Sequence, residues 1–337
     1  MGDRGDLDLA IAAIDFLRCA ERVRLAESLD RERELPLLSC ADLERLVGRS
    51  LAGKRWEPAA LLAAAARTRT AAARSGIAFV PYVSDRYPPL LRELPDPPTV
   101  LFYRGTLPDP ERPVAAVVGT REPSGEGLAA AYAFAYGFGE CGIPVVSGLA
   151  RGIDAMAHRG NVDAGGRTIA VLGSGLDEVY PKSNRALARR VVESGGVLVS
   201  EYPCGEPPRK GNFPARNRII AGLARATVVV EAPESSGALI TADFAADQGR
   251  DLWVVRAGLG SARGAGTRSL AEAGAPVAET AFDVVADWGF PVPVKPSRGS
   301  GAGRGTEPAE TASRATGRET GAAAARELAR FLDFELQ

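Results

Sequence analysis

Two guanidinium groups, an amide and an aromatic ring fall within six positions at Phe213-Pro214-Ala215-Arg216-Asn217-Arg218. Arg209 and Lys210 stand just upstream, and Ile219-Ile220-Ala221-Gly222-Leu223 turns apolar just downstream. Proline cannot extend a helix N-terminally but suits its first turn, so a helix is predicted to begin near Pro214. That leaves Phe213 in the entering loop and puts Arg216, Asn217 and Arg218 in the first turn or so. Cations around a helix N-terminus hold anions, and a ring beside them offers a base a stacking surface. The same hexapeptide also fits a blander arrangement, with Phe213 in the core and the arginines solvated or paired.

Four more polar clusters recur along the chain. In Gly119-Thr120-Arg121-Glu122-Pro123-Ser124-Gly125, Gly119 allows a tight turn, Ser124 can cap a following helix, and Arg121 would stand over that helix's N-terminus. The run is neither a GxGxxG fingerprint nor a P-loop, so no dinucleotide cofactor is implied. In Ser147-Gly148-Leu149-Ala150-Arg151-Gly152-Ile153-Asp154, Gly148 and Gly152 permit close approach by a ligand and Arg151 adds charge. Asp154 either caps a helix or holds Arg151. Gly173 to Asp177 leads into Tyr180-Pro181-Lys182-Ser183-Asn184, and Glu231 is followed by Ser235-Ser236-Gly237-Ala238-Leu239-Ile240-Thr241. The last run offers Ser236, Thr241 and main-chain N–H groups as an anion cradle. His158, the one histidine, has no nucleophile beside it and reads as structural. No Ser/His/Asp set is ordered as in a hydrolase, and no carboxylate cluster suggests a metal. The chain reads as a binding protein without a catalytic engine.

The elements that must position these clusters follow from periodicity. Strands are predicted at 114–118, 144–147, 168–172, 197–200, 227–231 and 251–255, with helices near 125–141, 152–164, 183–194, 215–224 and 237–248. Strand alternating with helix makes a parallel sheet covered on both faces. The expected fold is α/β: an extended, Rossmann-like, doubly wound and mostly parallel sheet, with ligands at the carboxyl ends of its strands. Residues 1–78 read as a small helical domain, 79–112 as a Pro-rich extended lead-in with a strand near Val100-Tyr103, and 113–288 as the sheet domain. Residues 289–321 read as a flexible linker, and 322–337 as a short amphipathic helix.

At 45% apolar and 25% charged residues with a net charge of -1, the composition is that of an ordinary globular protein. That balance excludes a polyelectrolyte that coats nucleic acid with its whole surface, but it permits a local basic groove. Cys19, Cys40, Cys141 and Cys204 show no CxxC spacing. Neither a zinc site nor a disulfide framework is expected, and with no signal pattern or membrane-length apolar run the chain reads as cytoplasmic.

Taken together, these segments resemble the DprA/Smf (DNA-processing protein A) family. The matching residues are Val118 to Arg121 with Ser124; Val146 to Asp154 with Ala157-His158; Thr168 to Gly173; Tyr180-Pro181 with Asn184; Ser200 to Pro203; Phe213-Pro214 with Arg216 to Leu223; and Ser236 to Ala242. Pro97-Pro98 and Leu101 to Gly105 also resemble the family, so the likeness runs from about Tyr87 to Val277. It implies a dimer that binds single-stranded DNA and helps to load the RecA recombinase in transformation and repair. Carried onto this chain, the DNA pocket falls on Arg121, Lys210, Phe213, Arg216, Asn217 and Arg218, with Ser124 and Gly148 lining it. Arg151, Lys182, Ser236 and Thr241 complete the set of candidates. Some positions depart from the family. Arg256-Ala257-Gly258 stands where Pro-Gly is usual, Gly266-Thr267-Arg268 where Gly-Thr-Asn is usual, and 291–337 is too short and irregular for the winged helix that many members carry. An alternative is a nucleotide-cleaving or nucleotide-sensing enzyme of the related phosphoribohydrolase type. In place of its Pro-Gly-Gly-x-Gly-Thr run this chain has Pro233-Glu234-Ser235-Ser236-Gly237-Ala238, with no glutamate following in the helix start.

Overall fold

The structure, a computed structural model, describes residues 4–291. The expected helix over 322–337 and most of the linker before it lie outside the described residues.

The chain opens with helices α1 (Gly5–Ala12), α2 (Cys19–Ser28), α3 (Cys40–Val47) and α4 (Pro58–Arg74). Their ends follow from sequence: Ser39 and Asp42 close a capping box at the head of α3, Gly48 ends it in the left-handed region at φ 71°, and α4 starts on Pro58. Strand β1 (Ala78–Pro81), the short α5 (Pro89–Arg92) and β2 (Val100–Gly105) lead into alternating strand and helix. There follow β3 (Ala115–Val118), α6 (Gly125–Glu140), β4 (Val145–Ser147), α7 (Ile153–Asp163), β5 (Thr168–Val171), α8 (Arg185–Glu193) and β6 (Val197–Ser200). Then come α9 (Asn212–Leu223), β7 (Ala226–Val229), α10 (Gly237–Asp247), β8 (Asp251–Val255), α11 (Arg256–Gly260), α12 (Ala265–Glu272), β9 (Val277–Ala278) and α13 (Ala281–Asp287).

The nine strands form one sheet in the order β1-β2-β6-β5-β4-β3-β7-β8-β9. From β6 to β9 every pairing is parallel, while β1 and β2 add an antiparallel edge. The chain runs outward from β3 to β6, then returns across β3 to continue at β7, so β3 lies at the switch point. Successive residues of each inner strand serve opposite layers. Ala116 and Val118 of β3 join a cluster with Ile219, Ile220 and Leu223 of α9, and Ala115 and Val117 join one with α6, α7 and α13. The N-terminal helices share a third cluster with α8 and with Phe102, Ala170 and Leu198 of the sheet, so they are packed onto its second face beside α6 and α7. The six expected strands are all present within a residue or two of their predicted spans. β9, two residues long, is too short to stand out in the sequence, and β1 falls where the Pro-rich extended lead-in is expected to begin.

Candidate nucleic-acid interface

The polar clusters converge at the carboxyl ends of β3, β4, β5 and β7. Helix α9 begins at Asn212, two residues ahead of the expected start, so Phe213 lies in its first turn rather than in the entering loop. Pro214 takes the third helical position, where its missing N–H leaves no intrahelical bond unmade. The head of α9 rests on the end of β5. Asn212 Nδ2 donates to the Gly173 carbonyl at 3.0 Å, and a Cβ on Gly173 would come 3.2 Å from the Phe213 ring.

Phe213 is half-buried and touched from two sides. The Arg121 guanidinium carbon lies 5.6 Å from its ring centre, and the Tyr180 ring lies 5.6 Å away, tilted by 43°. Tyr180 is 44% exposed. Arg121, Arg151, Lys182 and Lys210 are exposed as well. Among the described residues Arg151 and Lys210 form no ion pair, whereas Lys182 stands 3.7 Å from Glu178. These cations are the expected site residues that stay open to solvent. Sequence reasoning left Tyr180 out of the site because nothing in its local run shows that it meets Phe213.

Several expected site residues face inward instead. Arg216 is 4% exposed and donates to the carbonyls of Gly148, at 2.8 Å, and Val171. A Cβ on Gly148 would fall 2.6 Å from Arg216 Nη2 and 2.7 Å from Asp154 Oδ2. The space at Gly148, expected to admit a ligand, therefore holds the chain's own Arg216 and Asp154. Asp154 accepts from the N–H groups of Gly148 and Ala150 at 3.2 and 3.3 Å. Burial raises its carboxyl pKa, opposed by Arg216, and burial lowers that of Arg216 to about 10 against the pull of Asp154. Gly152, at φ 79°, is likewise approached by the main chain of Thr120 and Arg121 rather than by a ligand.

Arg218 is 7% exposed. Its two terminal nitrogens donate to the two oxygens of Glu201 at 2.8 and 2.7 Å, and Nε donates to the Asp96 carbonyl at 3.0 Å and carboxylate at 3.2 Å. Those acidic partners raise its pKa in spite of burial. With every nitrogen engaged, Arg218 is not open to a phosphate. Thr241 is buried too. Half-buried Asn217 donates to the Gly237 carbonyl at 3.0 Å, tying α9 to the head of α10. Ser236 caps α10 by accepting from Ala238 N–H at 3.2 Å.

Ser124 caps α6, accepting from Gly127 N–H at 3.0 Å as its position suggested. Its hydroxyl in turn donates to Glu231 at 2.9 Å, so both its capacities are used within the protein. His158 is fully buried with Nδ1 2.7 Å from Thr168 Oγ1. Since Thr168 donates its own proton to the Val145 carbonyl, Nδ1 carries the imidazole proton. Burial chiefly, and Arg216 beside it, push the His158 pKa down to about 3. Among the described residues no group of three or more His, Cys, Asp or Glu is arranged to hold a metal ion, and no helix is long and apolar enough to cross a membrane.

The family model of DNA recombination-mediator protein A matches residues 78–289. The DNA processing protein DprA of Streptococcus pneumoniae is 41% identical over 208 residues, 62% of this chain and 73% of that protein. The protein Smf of Synechocystis is 50% identical over 171 residues, half of this chain but 43% of the relative, so the match spans less than half the length of that protein. Among solved structures, DprA of Streptococcus pneumoniae superposes with a TM-score of 0.67 at 33% identity, covering 83% of this chain and 96% of that one. DNA processing protein A of Helicobacter pylori, whose structure addresses its single-stranded DNA binding mode, gives a TM-score of 0.56 at 26% identity over 63% of this chain and 95% of its own. On a family match that spans more than half its length, this chain belongs to the DNA recombination-mediator protein A family.

Proposed function

We propose that this chain binds single-stranded DNA along the rim formed by Arg121, Phe213, Tyr180 and Lys210, with Arg151 and Lys182 beside it. It acts by binding, without turnover, and assists the loading of RecA recombinase, working as a homodimer as the family likeness implies. The observation that carries the reading is an accessible aromatic pair with a guanidinium on it, flanked at the carboxyl ends of parallel strands by Arg151 and Lys210, which form no ion pair among the described residues. A ring stacks most readily on the open face of an unpaired base. Each stacked base contributes about 1–3 kcal/mol, and each neutralised phosphate of a single strand adds roughly 0.7 to the slope of log affinity against log salt. The Helicobacter pylori relative, solved for its single-stranded DNA binding mode, supports the same ligand here.

Titration of single- and double-stranded DNA at two salt concentrations tests it. Phe213→Ala and Arg121→Ala are expected to weaken single-strand binding about tenfold or more while the protein stays folded. Unchanged affinity in both, or a preference for duplex, overturns the reading. Adding purified recombinase to the same assay tests the loading role. Incubation with nucleoside monophosphates tests for turnover, with no released base expected.

A further inference from the structure

The head of α6 lies at the switch point of the sheet, where main-chain N–H groups ordinarily face a bound phosphate. Here a carboxylate of the same chain occupies that place. Glu231, two residues past β7, is 0% exposed. One of its oxygens accepts from the Ser124 N–H at 3.0 Å and the Ser124 hydroxyl at 2.9 Å, and the other accepts from the Ser261 hydroxyl at 2.5 Å. A Cβ on Gly127 would come within 1.8 Å of this carboxylate, so glycine in the first turn of α6 leaves it room. Among the described residues no cation pairs with it.

The main-chain carbonyl of Glu231 also accepts from Thr120 N–H, at 2.8 Å. Thr120 and Ser124 bracket Arg121, so both ends of that loop are fastened to one residue. A third tie comes from Arg263, just past Ser261, which donates to the Glu122 carbonyl. Between these ties Arg121 projects over Phe213.

We propose that Glu231 is a positioning residue for DNA binding, its carboxylate standing where a phosphate would and holding the Thr120–Ser124 loop so that Arg121 stays over Phe213. The inference rests on the reading that Arg121 contacts the DNA. It also implies that the head of α6 is closed to nucleotide phosphates.

Two conservative variants separate reach from charge. Glu231→Asp keeps the charge but draws the carboxylate back by one bond, about 1.5 Å, away from Ser124. Glu231→Gln removes the charge but keeps a carbonyl oxygen for Ser124 N–H and offers an N–H to Ser261. Single-stranded DNA is titrated over a salt series, with Arg121→Ala as reference and thermal melting as the check on folding. Glu231→Asp is expected to bind about tenfold more weakly with a salt slope lower by roughly 0.7, as if one phosphate contact were lost. Glu231→Gln is expected to restore affinity to within about twofold of the parent. Parent-like affinity and slope in Glu231→Asp, with Arg121→Ala weak, overturn the proposal and leave the DNA site standing. Equal weakening in both Glu231 variants overturns it as well, because the loss would then follow any change at this buried residue and not the reach of its oxygen. Parent-like binding by Arg121→Ala also overturns the proposal, because the loop would then hold no DNA contact, and the DNA site itself falls only if Phe213→Ala is parent-like too. Should Glu231→Asp not fold, Ser261→Ala loosens the carboxylate from the opposite side, with the same expectation and the same refutation.

Discussion

The arginines of α9 and the cations on the loops around its head share a chemistry and differ in their surroundings. Arg218 is enclosed by Glu201, Asp96 and a carbonyl, and Arg216 by Asp154 and two carbonyls. Arg121, Arg151 and Lys210 face solvent with no carboxylate partner among the described residues. A buried charge has lost its hydration and must be matched by fixed partners, so it acts as a brace between segments. An exposed charge keeps its counterions and can exchange them for a phosphate. The inner pair therefore braces the frame, and the outer set is the one left open to a phosphate.

The contrast is most sharply tested by removing an inner arginine. Arg218→Ala leaves the part-buried Glu201 carboxylate without its bidentate partner, and the loss of folding stability is expected to be about 3 kcal/mol. Urea denaturation measures it. DNA binding by the fraction that remains folded should keep the parent salt slope, since no phosphate contact has been removed. A loss below about 1 kcal/mol, or a reduced slope, would break the division into inner and outer cations.

The inner set also contains His158, which gives the second test through pH. Its folded pKa, near 3, lies below the usual value of about 6.5, so the unfolded chain takes up the proton first. Its contribution to stability is complete above pH 6.5 and is lost as pH falls towards 3. Asp8, raised to about 6 chiefly by burial, acts with the opposite sign. It binds its proton more readily when folded and gains stability on acidification through the same window. Comparing the parent with His158→Gln cancels the Asp8 contribution. The parent's advantage over that variant should shrink by roughly 1.5 kcal/mol between pH 6.5 and pH 5, read from denaturation curves at each pH. A difference that does not change with pH would place His158 outside the buried set.

The sheet was legible because each inner strand is a short, mostly apolar run closed by glycine or a polar residue, and each helix between them has the matching period. The site was legible only in part, and the reason lies in contacts between segments distant in sequence. Arg216 and Arg218 look alike in the hexapeptide, and nothing local announces that Glu201, Asp96 and Asp154 meet them. Gly148 signals a close approach correctly, yet the approaching group is a side chain of the same protein. Tyr180 and Glu231 carry no local signature of a role. One became visible through the ring it touches, the other through the loop it fastens.

The finest test compares two lysines on the outer rim. Lys210 is exposed just ahead of α9 and has no ion-pair partner among the described residues, while Lys182 shares Glu178 with Arg185. An exposed pair of this kind is weak, about 0–1 kcal/mol, and screened by salt. Even so, Lys182 must loosen it before it can serve a phosphate fully. Lys210→Ala should lower the single-strand salt slope by roughly 0.7 and leave stability within about 0.5 kcal/mol of the parent. Lys182→Ala should change the slope by less, and Glu178→Gln should bring the contribution of Lys182 up towards that of Lys210. Equal slopes for the two alanine variants, with no response to Glu178→Gln, would mean that a surface carboxylate at this distance does not tune the rim. Exposure alone would then decide which cations the DNA can use.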